Sequence, residues 1–429
     1  MSHECRDAGL ALVVLALLTP AGSPAQVQQD TCLRCHRIID EERYSRPVQE
    51  FQEDIHAAKG FGCVSCHGGN STLLGPAAKN REWGYIGIPT RQEIPELCAR
   101  CHSDPQFMKR YNPALRVDQL AEYRTSVHGQ RLFELGDPRV ATCTDCHMAH
   151  SIRPPDAPES TVHPMRVADT CGECHGDSVR MAEYRIPTDQ LKEYHTSVHW
   201  QAISEGGDLS APTCNDCHGN HGASPPEVDW VGNACGQCHV AQAELFEISP
   251  HRQSFIQLGT PGCAGCHGNH AIQMTSDAML GLEGESVCAQ CHDAEESGGR
   301  GAREMLGMID SLHREMTRAE SLLARAEHAG VEVSQAQFEL EDARSSLVRA
   351  RATTHAAVVD SVEAQVEAGL MVSAEAWDRG KQAFSELRYR RLGLAVSSVI
   401  IIVLIVGLVI RIREMEEKRS GGRIQDRRE

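Results

Sequence analysis

Asp118–Ile152 reads DQLAEYRTSVHGQRLFELGDPRVATCTDCHMAHSI, and Asp189–Ala223 reads DQLKEYHTSVHWQAISEGGDLSAPTCNDCHGNHGA. The two align without a gap at an offset of 71 residues. Each passes from a short helical stretch into Ser-Val-His, crosses a short loop, and ends in Cys-x-x-Cys-His-x-x-His. The Cys98 and Cys171 motifs that precede them lie 73 residues apart, so the repeat includes them and each unit holds two Cys-x-x-Cys-His motifs. The full units are 98–152 and 171–223. Two shorter ones follow the same plan: 32–70, with His56 seven residues before Cys63, and 235–272, with His251 twelve before Cys263. The motif at 288–292 stands alone. Such spacing predicts a repeat array over residues 26–300 in place of one globular core.

The motif chemistry follows from its donors. Nine copies occur: Cys32, Cys35 and His36; Cys63, Cys66 and His67; Cys98, Cys101 and His102; Cys143, Cys146 and His147; Cys171, Cys174 and His175; Cys214, Cys217 and His218; Cys235, Cys238 and His239; Cys263, Cys266 and His267; Cys288, Cys291 and His292. Two thiols three apart can add to the vinyl groups of a porphyrin, and the adjacent imidazole can bind its iron. Zinc ribbons also use Cys-x-x-Cys pairs, but they do not need a His after every second Cys. Here every pair has one, and of 19 cysteines only Cys5 lies outside a motif, leaving none for disulfides. The expected cofactor is therefore covalently bound haem c, nine per chain.

An electron-transfer haem needs a second axial ligand. Imidazole on both faces gives lower potentials than imidazole with thioether. Nine histidines between residues 30 and 295 lie outside the motifs. His128 and His199 share one repeat slot, and His150, His221 and His270 each stand three residues after a motif His. His56 and His251 precede a motif in analogous places, and His163 sits in Val-His-Pro. These eight are the expected distal ligands. His195 aligns with Arg124 in the sister repeat, which points to a surface role, and Asn70 fills the slot of His150 in the first unit. That leaves one haem to be served by His195, by His313 or His355 from the tail, or left open.

The rest of the chain sets the location. Leu10–Leu18 is apolar but too short to span a bilayer, and small residues follow it, so residues 1–25 read as a cleaved export signal. Residues 301–391 turn Ala-, Glu-, Arg- and Leu-rich, with Met305, Ile309, Leu312, Met316, Ala319 and Leu323 at helical spacing. Gly330 predicts a stop, Ser334 a new start, and the similar phrase around Gly369 a second stop, giving helices near 302–329, 335–368 and 374–391. Residues 392–410 carry no charge and cover about 28 Å, enough to cross a bilayer core of about 30 Å. With an exported N-terminus, this single span leaves 411–429 as a cytoplasmic tail. The expected fold is mainly α with extensive irregular loops: a multihaem array, a long helical hairpin or stalk, and one C-terminal transmembrane helix. Aromatics are 4%, so porphyrin faces are expected to supply much of the buried apolar surface. The net charge of −17 argues against nucleic acid and suits redox-protein partners.

Ser126-Val127-His128, Ser197-Val198-His199 and the Cys-x-x-Cys-His-Gly-x-His segments ending in His221 and His270 resemble those of multihaem c-type cytochromes with paired motifs. The array followed by long helices is similar, more distantly, to the pentahaem nitrite reductase and octahaem hydroxylamine oxidoreductase group. The resemblance implies bis-His haems in stacked pairs and periplasmic electron transfer. The chain departs from those relatives in having no Cys-x-x-Cys-Lys motif, and from quinol-oxidising tetrahaem relatives in carrying its apolar span at the C-terminal end. The expected function is electron relay between an inner-membrane donor and periplasmic acceptors, with no catalytic residue assigned. The tail offers a route to a homo-oligomer. The alternative is an oxidoreductase acting on a small nitrogen or sulfur compound at one open haem.

Overall fold

The computed structural model describes residues 30–226 and 234–425, so the expected export signal lies outside the described residues, as does the end of the tail. Among the described residues there are α-helices, 3-10 turns and loops, and no strand. The chain divides into two compact units. One holds the residues up to Pro226 together with His270–Ile272; the other holds Glu227–Asn269 and everything from Gln273 onward.

In the first unit the helices are short, from the four residues of Ile55–Ala58 to the ten of Glu93–His102. Four motifs fall on helices that contain little else, including Cys143–His147 and Cys214–His218. Both of these open with a reciprocal cap. The Thr142 hydroxyl and amide engage Asp145, and the Thr213 hydroxyl and amide engage Asp216. The side-chain core is small: Tyr123, Leu132 and Val140, with Phe133 beside them. Side chains alone leave this unit thinly filled, as expected where porphyrins make up the interior.

The repeat is held by aromatic and backbone bonds at matched positions. The Tyr123 hydroxyl donates to the Ala141 carbonyl, and that of Tyr194 to the Pro212 carbonyl, each joining a helix to the loop before a motif. The residue before the upstream histidines His56, His128 and His199 donates its amide across to the next unit: Ile55 to Ile152 O at 2.9 Å, Val127 to Ala223 O at 3.1 Å, and Val198 to Ile272 O at 2.8 Å. Each acceptor lies two residues beyond the second His of a Cys-His-x-x-His segment. These bonds close loops of up to 97 residues and set the register between successive units.

The second unit adds the helical tail. Ser297–His328 and Ser334–Thr353 both pack along Val359–Gln425. Buried Met305, Ile309, Leu312, Met316, Ala319, Leu323 and Ala326 repeat at alternating steps of four and three, as do Ala336, Leu340, Ala343, Leu347 and Ala350. Steps of 3.5 on average make coiled-coil seams. Gly330, at φ 84°, stops the first helix as the sequence predicts. The stop expected near Gly369 is absent: the helix begins at Val359 and runs through it. A Cβ on Gly369 would lie 2.8 Å from both Leu312 methyls, so this glycine serves close helix approach. The break falls instead at the 3-10 turn Thr354–Ala356, where Ala357 takes φ 52°.

From Leu392 to Ile412 the large apolar side chains of the last helix are all exposed. This helix is long and apolar enough to cross a membrane.

Leu323 has no exposed surface at the centre of the tail seam. Leu323→Ala should cost about 2–5 kcal/mol. The check is the denaturation midpoint of the helical circular dichroism signal; an unchanged midpoint would contradict the packing described.

Candidate haem centres

Metal-binding histidines must present a neutral nitrogen, and they are oriented by what the other nitrogen touches. Two imidazoles on opposite faces of one iron, each with a metal–nitrogen bond of about 2.0 Å and roughly 1.1 Å from nitrogen to ring centre, hold their centroids about 6 Å apart. Among the described residues, the motif histidines named next each face a second imidazole at this separation. His67 faces His150 at 6.1 Å, His147 faces His221 at 6.2 Å, His218 faces His270 at 6.1 Å, and His267 faces His355 at 6.1 Å. His102 faces His56 at 6.0 Å, His175 faces His128 at 6.1 Å, and His292 faces His251 at 5.8 Å.

Ring planes sort these pairs into two classes. In the pairs of His67, His147, His218 and His267 the planes differ by 17–21°. In those of His102, His175 and His292 they differ by 88°, 58° and 56°. The first class belongs to the second motif of each unit and the other to odd-numbered motifs. Two connections thus alternate. The second-motif histidines His67, His147 and His218 meet the Cys-His-x-x-His imidazole of the next unit, His267 meets His355 of the tail, and an odd-motif His meets the upstream His of the unit before.

The thiols follow the same order. Cys32 contacts Cys63, Cys98 contacts Cys143, Cys171 contacts Cys214, and Cys263 contacts Cys235. Each contact joins the first cysteines of two motifs in one unit. Between units, Cys66 lies close to Cys101, Cys146 to Cys174, and Cys266 to Cys288. No group of three or more His, Cys, Asp and Glu side chains forms a metal cage among the described residues. Facing imidazoles between thiol pairs suit a planar macrocycle, and covalent haem c fits these donors.

Burial pushes His102, His128, His150, His175, His221, His251, His267 and His270 downward, and His147 down to about 4. Desolvation penalises the imidazolium, which leaves the lone pair for a metal. Outer contacts then fix the rings. His67 Nδ1 meets the Gly87 carbonyl at 2.8 Å, and His218 Nδ1 meets that of Ser224 at 3.2 Å. Glu122 Oε2 lies 3.8 Å from His221 Nδ1, and Glu193 Oε2 lies 3.6 Å from His270 Nδ1.

His56 has a stronger partner. Asp54, 2% exposed, accepts from the His56 ring Nδ1 at 2.9 Å, from its amide at 2.8 Å, and from the Ile152 amide at 2.8 Å. Burial raises the Asp54 carboxyl, but these bonds outweigh it and hold the group below its usual range. Ser126, Ser197 and Ser249 fill the same slot in the other units. Ser126 and Ser197 cap their helices through Gly129 and Trp200 and bring no charge to the ligand.

The remaining candidates are placed differently. His163 is buried in a turn where its Nδ1 accepts from the Met165 amide at 3.2 Å, and its ring faces no motif His. His195 lies on Trp200 at 4.6 Å with Nε2 3.7 Å from Asp169. Asn70 accepts from the Thr72 amide and hydroxyl, a local turn. His199 opens helix Val198–Ser204 as His128 opens Val127–Phe133. His313 is exposed on the tail, whereas His355 is brought to His267. Beside His36 the neighbouring ring is Tyr44, at 5.7 Å and 68°.

Comparison with known proteins agrees with this geometry. Residues 55–176 and 208–293 match the family described as cytochrome c3. Over 224 residues, 47% of this chain, the sequence is 23% identical to a C-type polyheme cytochrome, OmcC, of Geobacter sulfurreducens. That match spans 27% of the relative's length. No solved structure matches.

Asp54→Ser, which installs the residue of the sister slots, should raise the potential of one haem and leave the others in place. Taking about 2 kcal/mol for a charged hydrogen bond and about 59 mV per 1.4 kcal/mol for a one-electron couple, the rise is roughly 80 mV. Potentiometric titration with optical detection reads it; superimposable titrations would remove the role given to Asp54. Motifs, facing imidazoles and the match over residues 55–176 and 208–293 together make the chain similar to multihaem c-type cytochromes, with donors suited to covalently bound haem.

Proposed function

We propose that the chain is a membrane-anchored electron relay with nine covalently bound haems, held on the periplasmic side of the inner membrane by its C-terminal helix. The observation that carries this reading is the set of facing imidazoles, each drawn from a different part of the chain than the motif it completes. Bound haem supplies one-electron iron centres. The chain does the rest. Thiols fix each site covalently, and neighbouring thiols in contact set successive sites side by side. Histidine on both faces favours low potentials and leaves no coordination position for a substrate. Buried, rigidly held ligands change little between oxidation states, which keeps the reorganisation cost small. The signal-like segment at residues 1–25 and the exposed apolar helix support export and a single anchor. The acidic surface favours redox-protein partners, a donor in the membrane and an acceptor outside it.

A second reading is favoured by one site. His36 has Tyr44 beside it where the paired sites have an imidazole. Burial and the nearby Lys79 ammonium push the His36 imidazole below its ordinary value, which favours the neutral form that binds metals. A haem tethered at Cys32 and Cys35 would then have an open face, suited to a small nitrogen or sulfur compound.

Mass spectrometry of the purified mature chain should show nine added macrocycles, and magnetic circular dichroism should show predominantly low-spin haem. Cyanide binding by one haem of the parent, lost together with one macrocycle in a Cys32→Ala, Cys35→Ala variant, would establish the open face of the second reading, and no cyanide binding would remove it. A chain of unmodified mass would refute both.

A further inference from the structure

The array has an end, and the end is written into its fourth unit. Six residues before the upstream histidines His56, His128 and His199 stand Glu50, Glu122 and Glu193; before His251 stands Leu245. Glu122 and Glu193 face the Cys-His-x-x-His imidazoles of the following units, His221 and His270, and the Glu50 charge is felt at His150. One residue before those histidines, Ile55, Val127 and Val198 donate the amide that ties one unit to the next. Before His251 stands Pro250, which has no amide hydrogen to give. The fourth unit has therefore lost both groups that its sisters use to receive a following unit. These losses are what a terminal repeat requires.

His267, the second-motif His of that unit, still has its partner. The tail supplies it. Helix Ser334–Thr353 breaks into the 3-10 turn Thr354–Ala356, which packs against Val240–Glu247, the helix that carries Leu245. The turn sets His355 6.1 Å from His267 with planes at 21°, within a degree of the 17–20° spread formed by His150, His221 and His270 with their partners. His355 Nδ1 meets the Ala352 carbonyl at 2.9 Å, which turns its other nitrogen toward His267. Four residues earlier, Arg351 holds Asp277 through two bonds of 2.7 and 2.8 Å, fixing the turn against the loop before the last motif.

Resting on the haem reading above, we propose that His355 is the distal ligand of the haem tethered by Cys263 and Cys266, and that the helical tail is the array's terminal cap, standing in for a fifth unit. The tail is thus part of the redox chain's structure as well as its support.

The full-length chain tests this. His355→Ala should keep the parent's haem count by mass spectrometry and convert one haem to high spin by electron paramagnetic resonance; added imidazole should restore low spin. His355→Met should stay low-spin and raise the potential of one haem, because thioether disfavours the oxidised iron. His313→Ala, an exposed histidine of the same tail, should change neither readout. A wholly low-spin His355→Ala variant at full haem count, or high-spin haem that imidazole does not rescue, would overturn the assignment. A parent chain without haem mass would overturn the underlying reading and this one with it.

Discussion

The structure depends on imidazoles that reach across repeat boundaries. His150 meets His67, His221 meets His147, and His270 meets His218, so a motif's imidazole is faced by one from the next unit. The upstream histidines run the other way, with His56 meeting His102 and His128 meeting His175. An ordinary solenoid joins its repeats through apolar faces. Here the apolar side chains are few, with one small cluster around Tyr123, Leu132 and Val140 in the first unit. In the proposed haem-bearing chain, coordination and covalent tethering would take over the cohesive work. Their alternation fixes the order of the units along the chain more firmly than a shallow hydrophobic contact could.

Two kinds of packing share one polypeptide. The array tolerates irregular loops because its register comes from ligand pairs and from amides such as Val127 on the Ala223 carbonyl. The tail is the opposite case, with heptad seams of Leu, Ile, Met and Ala and glycine where helices approach closely. Arg318 over Trp377 at 4.2 Å shows the seam's border finished by a charged side chain lying on a ring. The tail positions a single side chain, His355, with the rigidity of a long coiled coil.

Much of the site was legible in the sequence because chemistry constrains local spacing. Cys-x-x-Cys-His names its own ligand, and the 71-residue repeat exposes His128, His199, His150 and His221 by position. Which distant iron each imidazole serves was not legible, because a repeat offset carries no information about the partner across a boundary. His355 had no signal of its kind: it follows neither a motif nor a Ser-Val pair, and the break that presents it has no glycine or proline. Gly369 misled in the other direction, since a glycine that admits Leu312 looks like one that ends a helix.

Pairing across repeat boundaries has a consequence for how such a chain matures. Synthesis runs from the N-terminal end, so His67 emerges some eighty residues ahead of the imidazole that faces it, His150. His267 precedes its partner His355 by two long helices. Under the proposed ligation, a haem tethered at Cys63 and Cys66 or at Cys263 and Cys266 would lack its second imidazole until that later segment arrived, and an incompletely delivered molecule would carry a spectroscopic mark at its trailing edge.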